Sequence, residues 1–214
     1  MEAKIGMLEF KPNENGLSVV GIGGCAEGDI IIPQSVNGIA VTRIEKKAFK
    51  NCVGIKSIVI PYGVELIGFS AFSGCTELSE IMIPESVYLM ENAAFSDCTS
   101  LSAISIPSDI KAIPSNCFKG CRSLKSVSLP SGIIRIGMSA FEGCTSLSSL
   151  YLPKSMEFVD FFAFKGCDSL KEIAYAGNKS EWEIYVTDLA DIKDRIIGKK
   201  ISEAKKENND EDKA

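Results

Sequence analysis

Cysteine is the residue type whose number and spacing in this chain could carry chemistry. Of its eight cysteines, six recur at an interval of 23 residues. A cysteine thiolate can act as a nucleophile, bind zinc or form a disulfide. Eight cysteines in a secreted chain would normally indicate disulfides, whereas a zinc site would need clustered pairs such as C-x-x-C. The regularly spaced cysteines are Cys52, Cys75, Cys98, Cys121, Cys144 and Cys167.

The residues around each of these cysteines repeat with the same period, as the third copy illustrates. Phe95 lies three residues before Cys98, and Leu101 lies three residues after it. Ile104 and Ile106 follow at a spacing of two, which is the period of a β-strand. The proline that comes next ends the strand, because it has no N–H for the ladder. A recurring unit of this length predicts a solenoid, in which stacked copies bury one continuous core.

The place of the cysteines inside this pattern favours a structural role. Equivalent cysteines in successive coils would lie side by side in an apolar layer, where a reduced cysteine behaves as a small hydrophobic residue. We therefore expect six reduced core cysteines. We also expect Cys98→Ser to destabilise the fold, because a hydroxyl in that layer would lack an assured partner.

A turn is predicted just before each of these cysteines. The residue at this position is always Asn, Asp or Gly, and these types best tolerate a positive φ. A tight turn is therefore expected once in every repeat. The residues concerned are Asn51, Gly74, Asp97, Gly120, Gly143 and Gly166.

The pattern A-F-x-x-C followed by L-x-x-I-x-I/L-P resembles the BspA-like class of leucine-rich repeats, over about residues 17–176. The resemblance implies a β-rich solenoid: one curved, right-handed coil with parallel strands on its concave face. Members of that family are typically surface or secreted proteins of bacteria and some protozoa, used in adhesion and protein binding. The resemblance therefore implies a non-catalytic module that binds a protein or glycan ligand.

The chain divides into four predicted regions. Residues 1–28 form an N-terminal β-hairpin cap, and residues 29–176 hold about six repeats. The first repeat carries a five-residue insertion at about Asn37–Val41, which is expected to protrude as a turn. Residues 177–198 are predicted to form a short helical C-terminal cap, and residues 199–214 a charged, disordered tail. The residues that would share one face of the cap helix are Leu189, Ile192 and Ile196.

Charge and hydropathy restrict the partners and leave the location open. The net charge of −5 makes nucleic acid and anionic membranes poor partners. No apolar run approaches the 18 or so residues that span a bilayer, so no membrane insertion is expected. The N-terminal segment does not have the form of a signal peptide. The resemblance implies export, whereas this segment and the reduced cysteines are compatible with the cytoplasm.

Catalysis is not expected, and neither is a cofactor or a metal site. The chain has no histidine, which excludes Ser–His, Cys–His and His–metal mechanisms. The repeated cysteines should be buried, whereas a nucleophilic cysteine needs an accessible, electropositive setting. Cys117 occupies the alanine position of its repeat, and Cys25 lies outside the cysteine column. A thiol-based redox response through Cys25 or Cys117 stays open as a third hypothesis.

The outward positions of the predicted strands are candidates for ligand binding, because concave solenoid faces usually serve that purpose. The middle of this face is small and serine-rich, with Met82 and Tyr151 as its sizeable side chains. Together with Glu80, these two residues are the first candidates for a binding site. A solvated sheet face without a ligand is the alternative.

The last full repeat contains the unusual run EFVDFFAF. Phe158, Phe161 and Phe162 lie on the convex side or its edge. Other repeats fill the three positions with Leu66 or Arg135, with Phe69 or Asn92, and with Ser70 or Ala93. Either the C-terminal cap folds over these rings, or they form an exposed patch for a partner or for self-association. A structural or self-associating scaffold is thus the rival to the binding module, and a monomer or weak self-association is expected.

Overall fold

The computed structural model describes residues 7–23 and 27–177, together with the backbone of residues 196–197. Each coil of the chain adds one strand to a first sheet, turns at a proline, adds a second short strand, and returns through a turn. In chain order the strands are β1 (Leu8–Asn13), β2 (Gly16–Ile22), β3 (Gly28–Ile31), β4 (Ser35–Val36), β5 (Ile39–Ile44), β6 (Ile55–Val59), β7 (Leu66–Ile67), β8 (Glu80–Met82), β9 (Leu89–Met90), β10 (Ala103–Ser105), β11 (Ala112–Ile113), β12 (Ser126–Ser128), β13 (Arg135–Ile136), β14 (Ser149–Leu152), β15 (Phe158–Val159), β16 (Glu172–Tyr175) and β17 (Ile196–Ile197).

The first sheet is the parallel array that the strand-period residues predict. β3 pairs with β6 and β6 with β8, β10 pairs with β12, and β14 pairs with β16 and then β17. From β6 onward the register equals one repeat, so that Ile58 lies opposite Ile81. Along β8, β10 and β12 the exposure alternates, with the central residue buried and its two neighbours exposed. The predicted solenoid with parallel strands is therefore confirmed.

A second parallel ladder, which sequence reasoning missed, runs along another side of the coil. It consists mainly of two-residue strands, with β5, β7 and β9 in one group and β11, β13 and β15 in the other. Ile67 lies opposite Met90, and Ile136 lies opposite Val159. A strand of two residues is too short to show a period of two in the sequence, because no alternation can be read from it.

The core contains a continuous column of phenylalanine rings. The rings three residues before each repeated cysteine stack with centroids 5.2 to 5.6 Å apart and interplanar angles of 15° or less. Such offset stacking adds to the burial of apolar area. All seven cysteines among the described residues are buried and reduced, as predicted for the six in the column. The stacked rings are Phe49, Phe72, Phe95, Phe118, Phe141 and Phe164.

The turns before the cysteines adopt the predicted positive φ at all six positions, with values between 59° and 77°. A second column of positive φ, between 52° and 62°, lies two residues before each phenylalanine. Sequence reasoning missed this column, because none of its residues is glycine. Its members are Lys47, Ser70, Ala93, Asn116, Ser139 and Phe162.

A β-hairpin covers the N-terminal end of the second ladder, as predicted. β1 and β2 are antiparallel, and β2 pairs in parallel with β5 of the first coil. Hydrogen bonds of the Asn13 side chain to Ser18 and Thr42, and of Ser18 to Glu45, join the hairpin to that coil. Ser18 and Thr42 are buried, so these polar groups have the partners that burial requires.

A second, smaller hairpin lies within the first repeat. β4 and β5 pair in antiparallel fashion around Asn37 and Gly38, whose φ values are 51° and 79°. Two successive residues with positive φ are typical of a type I′ turn. The turn expected around Asn37 is therefore present.

The helical C-terminal cap is not supported. Ile196 belongs to β17, which pairs in parallel with β16 so that Ile196 lies opposite Ile173. These two positions are 23 residues apart, which is the register of the solenoid and not the spacing of a helical face. Leu189, Ile192, the remainder of the predicted cap, the charged tail and Cys25 lie outside the described residues.

Candidate binding site

The outward side chains of four successive strands, from β8 to β14, line a groove of about 640 Å³. Met82 stands at one side of the groove and is 76% exposed, whereas Tyr151 stands at the other side and is 54% exposed. The outward side chains of the floor between them are small, and the buried or partly buried Ile81, Ile83, Ile104, Val127 and Leu129 complete the lining. The outward floor residues are Ala103, Ser105, Ser126 and Ser128.

The distance across the groove follows from the repeat. Met82, Ser105, Ser128 and Tyr151 occupy the same position in four successive coils. Neighbouring strands lie about 4.8 Å apart, so the backbones that carry Met82 and Tyr151 are about 14 Å apart. Ser105 and Ser128 fill the interval between these two positions.

The groove is amphipathic and its floor is uncharged. The exposed Glu80 is the one ionisable carboxylate among the lining residues. The serine hydroxyls of the floor can each donate and accept a hydrogen bond. A large apolar group at either side of a neutral, hydroxyl-bearing floor matches the composition of small ligand sites, which are largely apolar with a few polar groups. The structure thus brings together three of the predicted residues, Glu80, Met82 and Tyr151.

The three predicted phenylalanines lie apart from the groove, on the side of the second ladder. Phe158, Phe161 and Phe162 are 46%, 47% and 50% exposed. Ile134 and Met138, on the preceding coil, are also exposed and extend the same surface. Sequence reasoning missed Ile134, because it stands beside the core residues Ile133 and Ile136 and does not differ from them in type. The signal that could have found Met138 is its position 23 residues before Phe161.

The described thiols do not form a reactive site. Burial raises the pKa of Cys98, Cys117, Cys121 and Cys144 well above the ordinary value of a thiol. Cys117, the candidate for redox chemistry, has no exposed surface. A thiol that reacts readily needs access and a lowered pKa, and Cys117 has neither.

Two further kinds of site find no support in the described part of the chain. Within residues 7–23 and 27–177, no three Cys, Asp or Glu side chains are grouped closely enough to hold a metal ion. No helix there is long and apolar enough to cross a membrane.

The repeats place the chain in a known family. The family described as the BspA type leucine rich repeat region matches six copies over residues 42–171. The chain therefore belongs to the BspA-type leucine-rich repeat family. Leucine-rich repeat proteins of this bacterial surface type are generally protein-interaction modules.

Solved structures with the same architecture come from several bacteria. A leucine-rich repeat protein of T. pallidum is 30% identical with a TM-score of 0.76, and the match covers 81% of each chain. A leucine-rich cell surface protein of Faecalibacterium prausnitzii is 25% identical with a TM-score of 0.66, over 82% of this chain and 54% of that one. A leucine-rich repeat protein of Bacteroides ovatus is 25% identical with a TM-score of 0.62, over 79% of this chain and 54% of that one. No curated protein sequence matches the chain.

Proposed function

We propose that this protein is a non-catalytic binding module that holds a segment of a protein ligand in the groove between Met82 and Tyr151. The observation that carries the proposal is the groove itself, a recess of about 640 Å³ on the strand face with one large exposed side chain at each side. An isolated pair of exposed side chains would need no explanation. A pair that bounds a common recess provides both shape and apolar area for a partner.

The chemistry of the groove indicates what each lining residue would contribute. Tyr151 and Met82 would supply most of the binding energy, because aromatic and methionine side chains are enriched in the centres of interfaces. The floor serines would accept or donate hydrogen bonds to the backbone of the ligand. Glu80 would favour a ligand with a basic group at that end, since opposite charges set orientation more than affinity.

An adhesive role at a cell surface is the setting that the relatives favour. One of the similar solved structures is named a cell surface protein, and the family resemblance points the same way. No catalytic role is proposed, because the chain lacks histidine and its described thiols are buried.

The proposal is tested by capture from the native environment with a photoreactive amino acid in place of Ser128, on the floor of the groove. The control carries the same amino acid in place of Tyr88, an exposed residue outside the groove lining. A protein crosslinked from position 128 and not from position 88 would support the groove as the binding site. Equal crosslinking from both positions, or a crosslinked glycan without protein, would contradict it.

A further inference from the structure

We propose that Asn37 is a covalent modification site, at which the folded chain loses ammonia from the asparagine side chain and acquires aspartate or isoaspartate. The chain contains two Asn-Gly pairs, Asn15-Gly16 and Asn37-Gly38. Glycine is the most reactive successor of asparagine in this reaction, because it has no Cβ to hinder its backbone nitrogen. The sequence alone predicts that both pairs react, whereas the structure favours the second pair.

The reaction is an attack of the Gly38 backbone nitrogen on the side-chain amide carbon of Asn37. The new C–N bond closes a succinimide ring, the backbone N–H proton passes to water, and the side-chain nitrogen leaves as ammonia after taking up a proton. Water then opens the ring at one of its two carbonyl carbons. Opening at the side-chain carbon gives aspartate, and opening at the backbone carbon gives isoaspartate. One water is consumed and one ammonia is released, with no oxidant and no enzyme.

The surroundings of Gly38 leave its backbone nitrogen accessible. Asn37 and Gly38 are both exposed, and a Cβ on Gly38 would meet no atom of the described residues within 4 Å. The two residues are the central pair of the β4–β5 turn, and the cross-strand pairing begins on either side of them with Val36 and Ile39. The ladder therefore does not hold the Gly38 N–H, and water can reach both reacting groups.

The β4–β5 hairpin can open without unfolding the solenoid. Opening is needed, because a type I′ turn restricts the backbone rotation that would bring the Gly38 nitrogen to the Asn37 side chain. The hairpin is held by two cross-strand pairs and by a flanking hydrogen bond of 2.9 Å from Val41 N–H to the carbonyl oxygen of Gln34. None of residues 34–40 is buried. A segment with so few buried contacts opens locally at small cost in free energy.

The other pair, Asn15-Gly16, lies in a hairpin that is tied to the solenoid. Gly16 pairs with Asn13 at the end of the β1–β2 ladder, so its backbone nitrogen belongs to that ladder. A Cβ on Gly16 would collide with the carbonyl oxygen of Ala40, which shows how closely its backbone packs against β5. Residues 17–19, which follow directly, are buried. Opening this turn would disrupt the packing of the N-terminal cap, so the fold should protect Asn15.

The experiment is incubation of the full chain at pH 8 and 37 °C, followed by peptide mapping with mass spectrometry. Cleavage after glutamate separates the two sites, because Glu27 lies between them. We expect the peptide that carries Asn37 to gain about 1 Da and to contain both aspartate and isoaspartate. Asn15 in the same folded chain should react at least about tenfold more slowly. In the chain unfolded by urea, both sites should react at similar rates.

The control variant is Asn37→Gln, whose longer side chain does not close the five-membered ring and whose peptide should keep its mass. An Asn37 that stays intact in the folded chain while it reacts in urea would overturn the proposal. So would an Asn15 that reacts as fast as Asn37 in the folded chain, because the reaction would then follow global unfolding and not the opening of the hairpin. Aspartate without isoaspartate would contradict the ring intermediate. None of these results depends on whether the groove binds a ligand.

Discussion

The thiol of Cys98 donates a hydrogen bond to the carbonyl oxygen of Phe72 at 3.2 Å. The same oxygen accepts the backbone N–H of Cys75 at 3.1 Å. Both lone pairs of that carbonyl are thus engaged, one by its own coil and one by the next. The arrangement recurs for five thiols, always 26 residues along the chain from the carbonyl. Cysteine at this position therefore combines a small apolar volume with a hydrogen-bond donor.

This relationship changes the expected effect of Cys98→Ser. Without a known partner, a hydroxyl in the apolar layer would make serine the more harmful replacement. Because the Phe72 carbonyl is a partner, serine should retain the hydrogen bond, whereas Cys98→Ala should lose it and leave a small cavity. We expect Cys98→Ala to lower the free energy of unfolding by about 1–3 kcal/mol and Cys98→Ser to lower it less.

Urea unfolding of both variants at pH 7 measures whether Cys98→Ala is less stable than Cys98→Ser. Cys117→Ala is the control, because it restores the residue that other repeats have at this position, and it should cost less than Cys98→Ala. A serine variant that is less stable than the alanine variant would show that the thiol acts only as an apolar group.

The buried thiols predict a steep loss of stability in alkaline solution. Burial raises the folded-state pKa of Cys98, Cys117, Cys121 and Cys144 above the ordinary value of about 8.5. The contribution of these thiols is therefore complete below about pH 8.5. It falls as the pH rises, since the unfolded chain then releases protons that the folded chain keeps. Each thiol contributes a slope of about 1.4 kcal/mol per pH unit, so four give about 5 kcal/mol per pH unit well above pH 9.

Urea unfolding at pH 8, 9 and 10 measures this slope. Cys117→Ala removes one titrating thiol and should reduce the slope by about 1.4 kcal/mol per pH unit. If wild type and variant lose stability equally between pH 9 and 10, burial does not raise the pKa of Cys117 in the folded chain.

Position 120 needs glycine for two reasons: its backbone φ is positive, and the neighbouring Asp97 side chain leaves no room for a Cβ. The φ of Gly120 is 75°, and a Cβ there would collide with the Asp97 carboxylate of the preceding coil. Gly143 has the same φ of 75°, but a Cβ there would approach other atoms only to 3.8 Å. Gly143→Ala should therefore show the backbone cost alone, about 1 kcal/mol, and Gly120→Ala a larger one.

Thermal unfolding of the two alanine variants separates these costs. Replacing Asp97 by glycine as well should recover part of the loss in Gly120→Ala, since the collision is then removed. Equal losses in the two single variants, with no recovery in the double variant, would mean that the Asp97 side chain simply moves aside.

Much of the fold could be predicted from the sequence, because the phased residues are core positions and their spacing reports the coil directly. The parallel first sheet, the reduced cysteines and the turns at Asn51 and Asp97 followed from that spacing. The second ladder could not be predicted, because its strands are two residues long. The left-handed column that includes Lys47 was missed for a different reason, since its residue types do not suggest positive φ.

The candidate site was predictable only in part. Met82 and Tyr151 could be recognised as large outward residues on a face of small ones, and the alternation along the strands fixed their direction. Met82 and Tyr151 form the two sides of one groove only because four coils pack together. This arrangement cannot be read from any single repeat. Likewise, Met138 and Phe161 lie near each other only because they occupy the same position in two adjacent coils.

The most direct test of the binding function is the affinity of the captured protein for three forms of the chain, measured by titration calorimetry. Tyr151 and Tyr88 are both 54% exposed, but only Tyr151 lines the groove. Tyr151→Ala should weaken binding at least tenfold, as expected for an aromatic residue in the centre of an interface. Tyr88→Ala should bind as the wild type does. Equal affinities of the wild type and Tyr151→Ala would contradict a ligand site in the groove.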